Sequence, residues 1–192
     1  MAQDHTKIHV GPGRIFLGVT PPATGTPPTL LAHVDGVPTT GTEVGHTDGD
    51  STFTYQAVKN EITSEQVLSG VDLWVPEEMG SLVCIAQEHN FLALRTAFDA
   101  VGSVDDVSKT LFYGGAGTQV VNALTQCIVL TSRQRNAPTK FHILVFYKAY
   151  SSPGFKIPFG RRNRSIYSME FKALSDTSRN SGDQMFQYYR EK

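Results

Sequence analysis

Apolar and polar residues alternate with period two in three stretches of the chain. That alternation predicts strands whose side chains point to opposite faces. Phe53 and Tyr55 share one face of residues 51–55. In FHILVFY, residues 141–147, Phe141, Ile143, Val145 and Tyr147 share one face, and His142, Leu144 and Phe146 the other. Two largely apolar faces predict a strand covered on both sides. Tyr167, Met169, Phe171 and Ala173 alternate with Ser168, Glu170 and Lys172, which predicts a strand with one wet face. Shorter strands are expected at residues 14–19, 30–34, 81–86 and 127–130.

One segment carries a different period. In HNFLALRTAFDAV, residues 89–101, Phe91, Leu94 and Phe98 fall at i, i+3 and i+7, with Leu92 and Ala97 widening the stripe. This predicts an amphipathic helix of about three turns, stopped by Gly102 in the position glycine favours after a helix. Turn signals divide the rest: Gly11-Pro12-Gly13, Pro21-Pro22, Pro27-Pro28, Asp48-Gly49, Gly114-Gly115 and Pro153-Gly154. Residues 20–28, TPPATGTPP, cannot hold a regular ladder because proline lacks the N–H; they predict an exposed loop inside the domain. The expected fold is therefore mainly β, a β-barrel or sandwich with one principal flanking α-helix. Length predicts a single domain over 1–192, with a mobile N-terminal segment 1–13 and a C-terminal arm.

Composition changes this picture in one respect. The charged fraction is 18%, below the roughly 25% usual for globular domains, as expected if part of the surface is hidden in an assembly. Net charge is −1 but unevenly spread. Residues 1–132 carry 5 Lys/Arg against 14 Asp/Glu, a net −9, and residues 133–192 carry 12 against 4, a net +8. Acidic and basic surfaces of this kind can set register between copies of one subunit. No apolar run approaches the roughly 20 residues that span a bilayer, and MAQDHTKIHV lacks the features of a signal peptide. The expectation is cytoplasmic synthesis and no membrane. Cys84 and Cys127 lie in apolar runs and are expected to be buried free thiols.

Reactive chemistry finds no support in the motifs. There is no G-x-S-x-G nucleophile elbow, and both cysteines lack the polar surroundings a catalytic thiol needs. His5 and His9 have helix-face spacing but precede Gly11-Pro12, and Cys84 and His89 have no second pair at zinc spacing. DGDST starts like a calcium loop, without the later glutamate in register. GGAG at 114–117 lacks the lysine of a phosphate loop. No catalytic residue, cofactor or metal is expected. The densest basic cluster, Gly160-Arg161-Arg162-Asn163-Arg164, could neutralise phosphates, with Tyr147, Tyr150, Phe155 and Phe159 as stacking platforms. A pI of about 6.6 argues against a dedicated nucleic-acid binder.

The stretch EVGHTDGDSTFTYQAVKNEITSEQ, residues 43–66, resembles the early hairpin of phage tail tube proteins: a glycine, a short turn with another glycine, an F-x-Y strand, then a polar segment with acidic residues and a glutamine. YSMEFKALSD, residues 167–176, followed by Arg179, Gly182 and Asp183, resembles the closing strand and exit loop of that family. The order of elements between them is also similar, so the resemblance covers roughly residues 14–188. It implies a non-enzymatic virion protein of related fold to the tubes of contractile injection machines. Such subunits form hexameric rings that stack into a hollow tail tube around a tape measure protein, join tail-end proteins, and pass DNA as cargo from capsid to host. Strand edges could pair between subunits. The polar segment 55–70 is then expected to be a stacking loop with Glu61 and Glu65 as acidic contacts, and Arg161, Arg162 and Arg164 as basic partners. The lumen should be acidic or neutral, so that DNA is not gripped. Two alternatives are another virion component of related fold, such as a tail completion or capsid decoration protein, and a nucleic-acid-binding module using residues 160–164.

Overall fold

In a computed structural model of the chain, the described residues are 13–45, 47, 50–64, 67–86, 102–106, 109–113, 126–134, 137–152 and 166–192. They form twelve strands and no helix: β1 (Arg14–Leu17), β2 (His33–Val34), β3 (Val37–Pro38), β4 (Thr42–Glu43), β5 (Thr52–Ser64), β6 (Val67–Ala86), β7 (Gly102–Asp106), β8 (Lys109–Tyr113), β9 (Gln126–Gln134), β10 (Ala137–Ser152), β11 (Tyr167–Ala173) and β12 (Phe186–Arg190). The protein is mainly β, as the alternation predicted. The helix expected over 89–101 lies outside the described residues. Gly102, expected to cap it, opens β7, which pairs with β8. Segment 1–12, the Asp48-Gly49 turn and residues 114–119 also lie outside them.

Eight strands form one antiparallel sheet in the order β4-β1-β9-β10-β11-β6-β5, with β12 added along β10. β10 organises it. Its residues 141–146 lie between β9 and β12, and after a register shift past Phe146 its residues 149–152 pair with β11. All seven residues of FHILVFY are buried, so both faces of this strand are covered, as its two apolar faces required. Leu144 and Phe146 join Ile15, Leu17, Ile128, Leu82, Cys84, Met169 and Phe171 in one cluster. Phe141, Ile143, Val145 and Tyr147 join Phe16, Val19, Leu31, Cys127 and Val129 in a second, on the opposite face.

The two faces are covered in different ways. The first cluster draws on β1 and β6, each next to an end of the strand path, and a bridge pairs Thr47 with Ala86 of β6. The second is covered by chain 19–38. There β2 and β3 form a small hairpin around Asp35 (φ 49°) and Gly36 (φ 75°), the left-handed pair that a two-residue hairpin turn requires. A Cβ on Gly36 would sit 2.4 Å from the Phe141 ring, so the turn lies flat on the core. Residues 30–34 were expected to form a strand; only His33–Val34 do. Leu31 instead anchors in the second cluster.

The C-terminal end, expected to be an arm, forms β12 within the sheet. Glu191 fastens it: its carboxylate meets His33 Nε2 at 2.9 Å and accepts from the Phe141 N–H at 2.8 Å, while its carbonyl accepts from Gln134 Nε2 at 2.7 Å. β11 keeps the predicted wet face, with Met169 and Phe171 buried and Ser168 and Lys172 exposed.

Candidate assembly surface

β5 and β6 build a feature that the sequence suggested only in outline. β5 pairs with β6 from Thr52↔Val83 out to Ser64↔Val67. β11 accompanies β6 only over Ser81–Ala86. From Gln56↔Met79 outward the two strands therefore run as a two-stranded ribbon with no third strand among the described residues. At about 3.3 Å per residue, eight residues beyond Gln56 reach about 26 Å. The segment 55–70 was expected to be a loop; its described residues, 55–64 and 67–70, are instead strand residues of this ribbon, and Lys59, Asn60 and Glu61 on it are exposed.

The root of the ribbon is apolar. Phe53 packs against Phe146 (centroids 5.8 Å apart) and Phe186 (5.3 Å), and Tyr55 against Phe186 (5.3 Å). Gly80, opposite Tyr55, is buried against Ala173, Met185 and Phe146. Beyond the root, Lys59, Asn60, Glu61, Pro76, Glu77 and Glu78 are exposed, and so are large apolar side chains: Tyr55 at 45%, Val75 at 39% and Met79 at 46%. Partial desolvation, and after it the neighbouring Glu78 carboxylate, raise the Tyr55 pKa. Val75 and Pro76 stand opposite Lys59 alone, where the register shifts. A bulge carrying proline blunts a strand edge against open-ended addition of further strands.

Between the ribbon and the wet face of β11 lies a concavity of about 380 Å³, lined by Gln56, Glu77, Met79, Tyr150, Glu170 and Lys172 among others. A second hollow of about 250 Å³ opens between β5, β9, β10 and β12, with Phe53, Ser132, His142 and Tyr188 in its wall; Tyr188 Oη lies 3.0 Å from His142 Nδ1.

Of the residues proposed from sequence, Glu61 is placed on β5 opposite Leu73 and exposed. Glu65, Arg161, Arg162 and Arg164 lie outside the described residues. Glu77, Glu78, Val75 and Met79 were missed by sequence reasoning. The signal was present in VPEEMG: a proline and two glutamates inside a run that otherwise continues a strand mark an edge. Tyr147, offered as a stacking platform for bases, is buried beneath Arg179, whose guanidinium carbon lies 3.6 Å from the ring centroid.

Cys84 and Cys127 are free and buried, in opposite clusters. Burial pushes both thiols up to about 12, with Arg179 pulling Cys127 slightly the other way. Among the described residues no group of three or more His, Cys, Asp or Glu could hold a metal ion, and no helix is long and apolar enough to cross a membrane. No protein-family model matches the chain, and no curated protein matches it at significance.

Proposed function

We propose that the chain is a structural subunit of a phage tail tube, assembling with copies of itself into stacked rings that are hexameric by resemblance. The observation that carries this reading is the β5–β6 ribbon, which extends past the sheet with acidic side chains at Glu61, Glu77 and Glu78 and apolar ones at Tyr55, Val75 and Met79 exposed. A two-stranded hairpin is marginal in water by itself, and exposed apolar residues on it find cover in a partner. The residues that form β5 are also those that carry the resemblance, residues 43–66.

The contact is made through the ribbon's faces, because the Pro76 bulge disfavours edge-to-edge extension. Glu61, Glu77 and Glu78 supply acidic contacts. The basic residues of the chain's second part, Arg161, Arg162 and Arg164 among them, are the complementary partners, in a head-to-tail contact of unlike surfaces. The Thr47–Ala86 bridge supports a sheet closed as a barrel, and the helical period of residues 89–101 supports a flanking helix. In this reading the subunit works in the virion tail by geometry. It surrounds a tape measure protein, meets tail-end proteins at its termini, and passes DNA without gripping it.

Electron microscopy of the concentrated protein should reveal hollow tubes of uniform diameter. A particle that stays monomeric in sedimentation at high concentration, with its tail partners added, contradicts the proposal. Fluorescence anisotropy with single-stranded DNA separates the nucleic-acid reading: tight binding that collapses steeply with salt favours that alternative.

A further inference from the structure

Residues 20–30 run between Val19, two residues past the end of β1, and Leu31, both buried in the second cluster. Between those anchors Pro22 is buried, Gly25 half-buried and the remainder exposed, with no strand. Little apolar area therefore holds this segment down. Its middle is tied by polar bonds from one short loop: Arg179 Nη1 donates to the Pro22 carbonyl at 2.7 Å, the Asn180 N–H to Thr24 Oγ1 at 3.2 Å, and Asn180 Nδ2 to Thr26 Oγ1 at 3.4 Å.

Arg179 is itself fixed from all sides. Its Nη2 donates to Asp183 Oδ2 at 2.8 Å and its Nε to the Asp183 carbonyl at 2.9 Å, its face lies on the Tyr147 ring, and Tyr147 donates to the other carboxylate oxygen of Asp183. The two charged side chains are 4% and 10% exposed. Such a pair is costly to break from one side, because the remaining charge is left buried. A segment with few buried apolar contacts, held by a concentrated polar fastening, is the kind of unit that opens locally while the rest stays folded.

We propose that residues 20–30 are a strap that opens and closes as a unit over the folded sheet, with Arg179 as its latch. Opening frees the Val19 anchor, which covers Cys127 at the edge of the second cluster: the Val19 N–H donates to the Cys127 carbonyl at 3.2 Å. Cys84, wholly buried in the first cluster, stays covered. The two thiols thus report on strap and sheet separately, and the inference does not depend on the tube reading.

The test is the rate of thiol labelling at each cysteine, resolved by mass spectrometry. The double variant Arg179→Met with Asp183→Asn, which leaves no buried charge, should label Cys127 about tenfold faster or more, since a hydrogen bond to a charged group is lost from the strap. Cys84 should keep its native rate. Thr24→Val with Thr26→Val, which removes the exposed ties and spares the latch, should accelerate Cys127 by about two- to fivefold. That pair decides the matter if the first variant does not fold. Equal acceleration of both thiols would show that the segment opens only with the sheet, and an unchanged Cys127 rate would show that these bonds hold no strap. Either overturns the proposal.

Discussion

The strand β10 and the ribbon of β5 and β6 obey the same period-two geometry and end in opposite environments. Along residues 141–147 of β10 every side chain is buried, and the two faces feed two separate clusters. Along the ribbon, from Lys59 to Glu61 and from Val75 to Met79, every residue is exposed. The body is stabilised by what the chain itself packs around it. Beyond Gln56 the ribbon is a two-stranded backbone ladder, and its described side chains at residues 59–61 and 75–79 face solvent. If the chain assembles as proposed, substitutions should separate into those that unfold the protein and those that stop tube growth.

The largest effect is expected in the body. Phe146, fully buried and in ring contact with Phe53 and Phe186, should cost about 3–5 kcal/mol when changed to alanine, read as a lowered urea midpoint. It would also loosen the ribbon's root. A loss below about 1 kcal/mol would mean that the core is not organised on β10.

Next is Gly36→Ala. The turn needs φ near 75°, and the added methyl meets the Phe141 ring, which is itself buried and cannot retreat freely. About 1–3 kcal/mol of destabilisation should follow from overpacking. A neutral result would show that the β2–β3 hairpin lifts off the second cluster without penalty.

Alkaline pH should act chiefly on the body. The thiols of Cys84 and Cys127 are raised from 9.0 to about 12 by burial, and the Tyr189 hydroxyl is raised from 10.0 to about 12 by burial and by Glu191. Groups that hold a proton more tightly when folded contribute in full below their unfolded values and lose that contribution as pH climbs towards the folded ones. Stability should be flat from pH 7 to about 8.5 and fall above pH 9, by up to about 1.4 kcal/mol per pH unit for each group that must ionise. Replacing Cys84 with alanine should make the fall shallower.

The smallest effect on stability, and the sharpest on assembly, belongs to the ribbon. Glu61→Lys combined with Glu77→Lys alters two exposed side chains, so the unfolding free energy read from urea titration should change by no more than about 0.5 kcal/mol. Tube growth followed by light scattering should be lost. Normal growth would remove these residues from the contact.

The body was legible because its signals were local. Two apolar faces on residues 141–147 announced a doubly covered strand, and the alternation at residues 167–173 announced one wet face. Three features were hidden for physical reasons. The ribbon looked like a loop because the polar run from Lys59 to Glu61, exposed throughout, has no hydrophobic alternation to reveal a strand. The β2–β3 hairpin was signalled by Asp35-Gly36 between two valines, a cue that is easily passed over in a stretch this short. The role of the proline-rich segment could not be read locally, since Arg179 and Asn180, which hold it, lie about 150 residues away. The acidic surface was half legible. Glu61 was expected from the polar run, but Glu77 and Glu78 join it only through the antiparallel register of β5 with β6.

Amide hydrogen exchange in the monomeric and the assembled protein tests the division between body and ribbon most directly. The account predicts that amides of residues 56–64 and 67–79 exchange quickly in the monomer and become strongly protected on assembly, while residues 141–147 are protected in both. Ribbon amides as slow as those of β10 in the monomer, or still fast in the assembled protein, would contradict it.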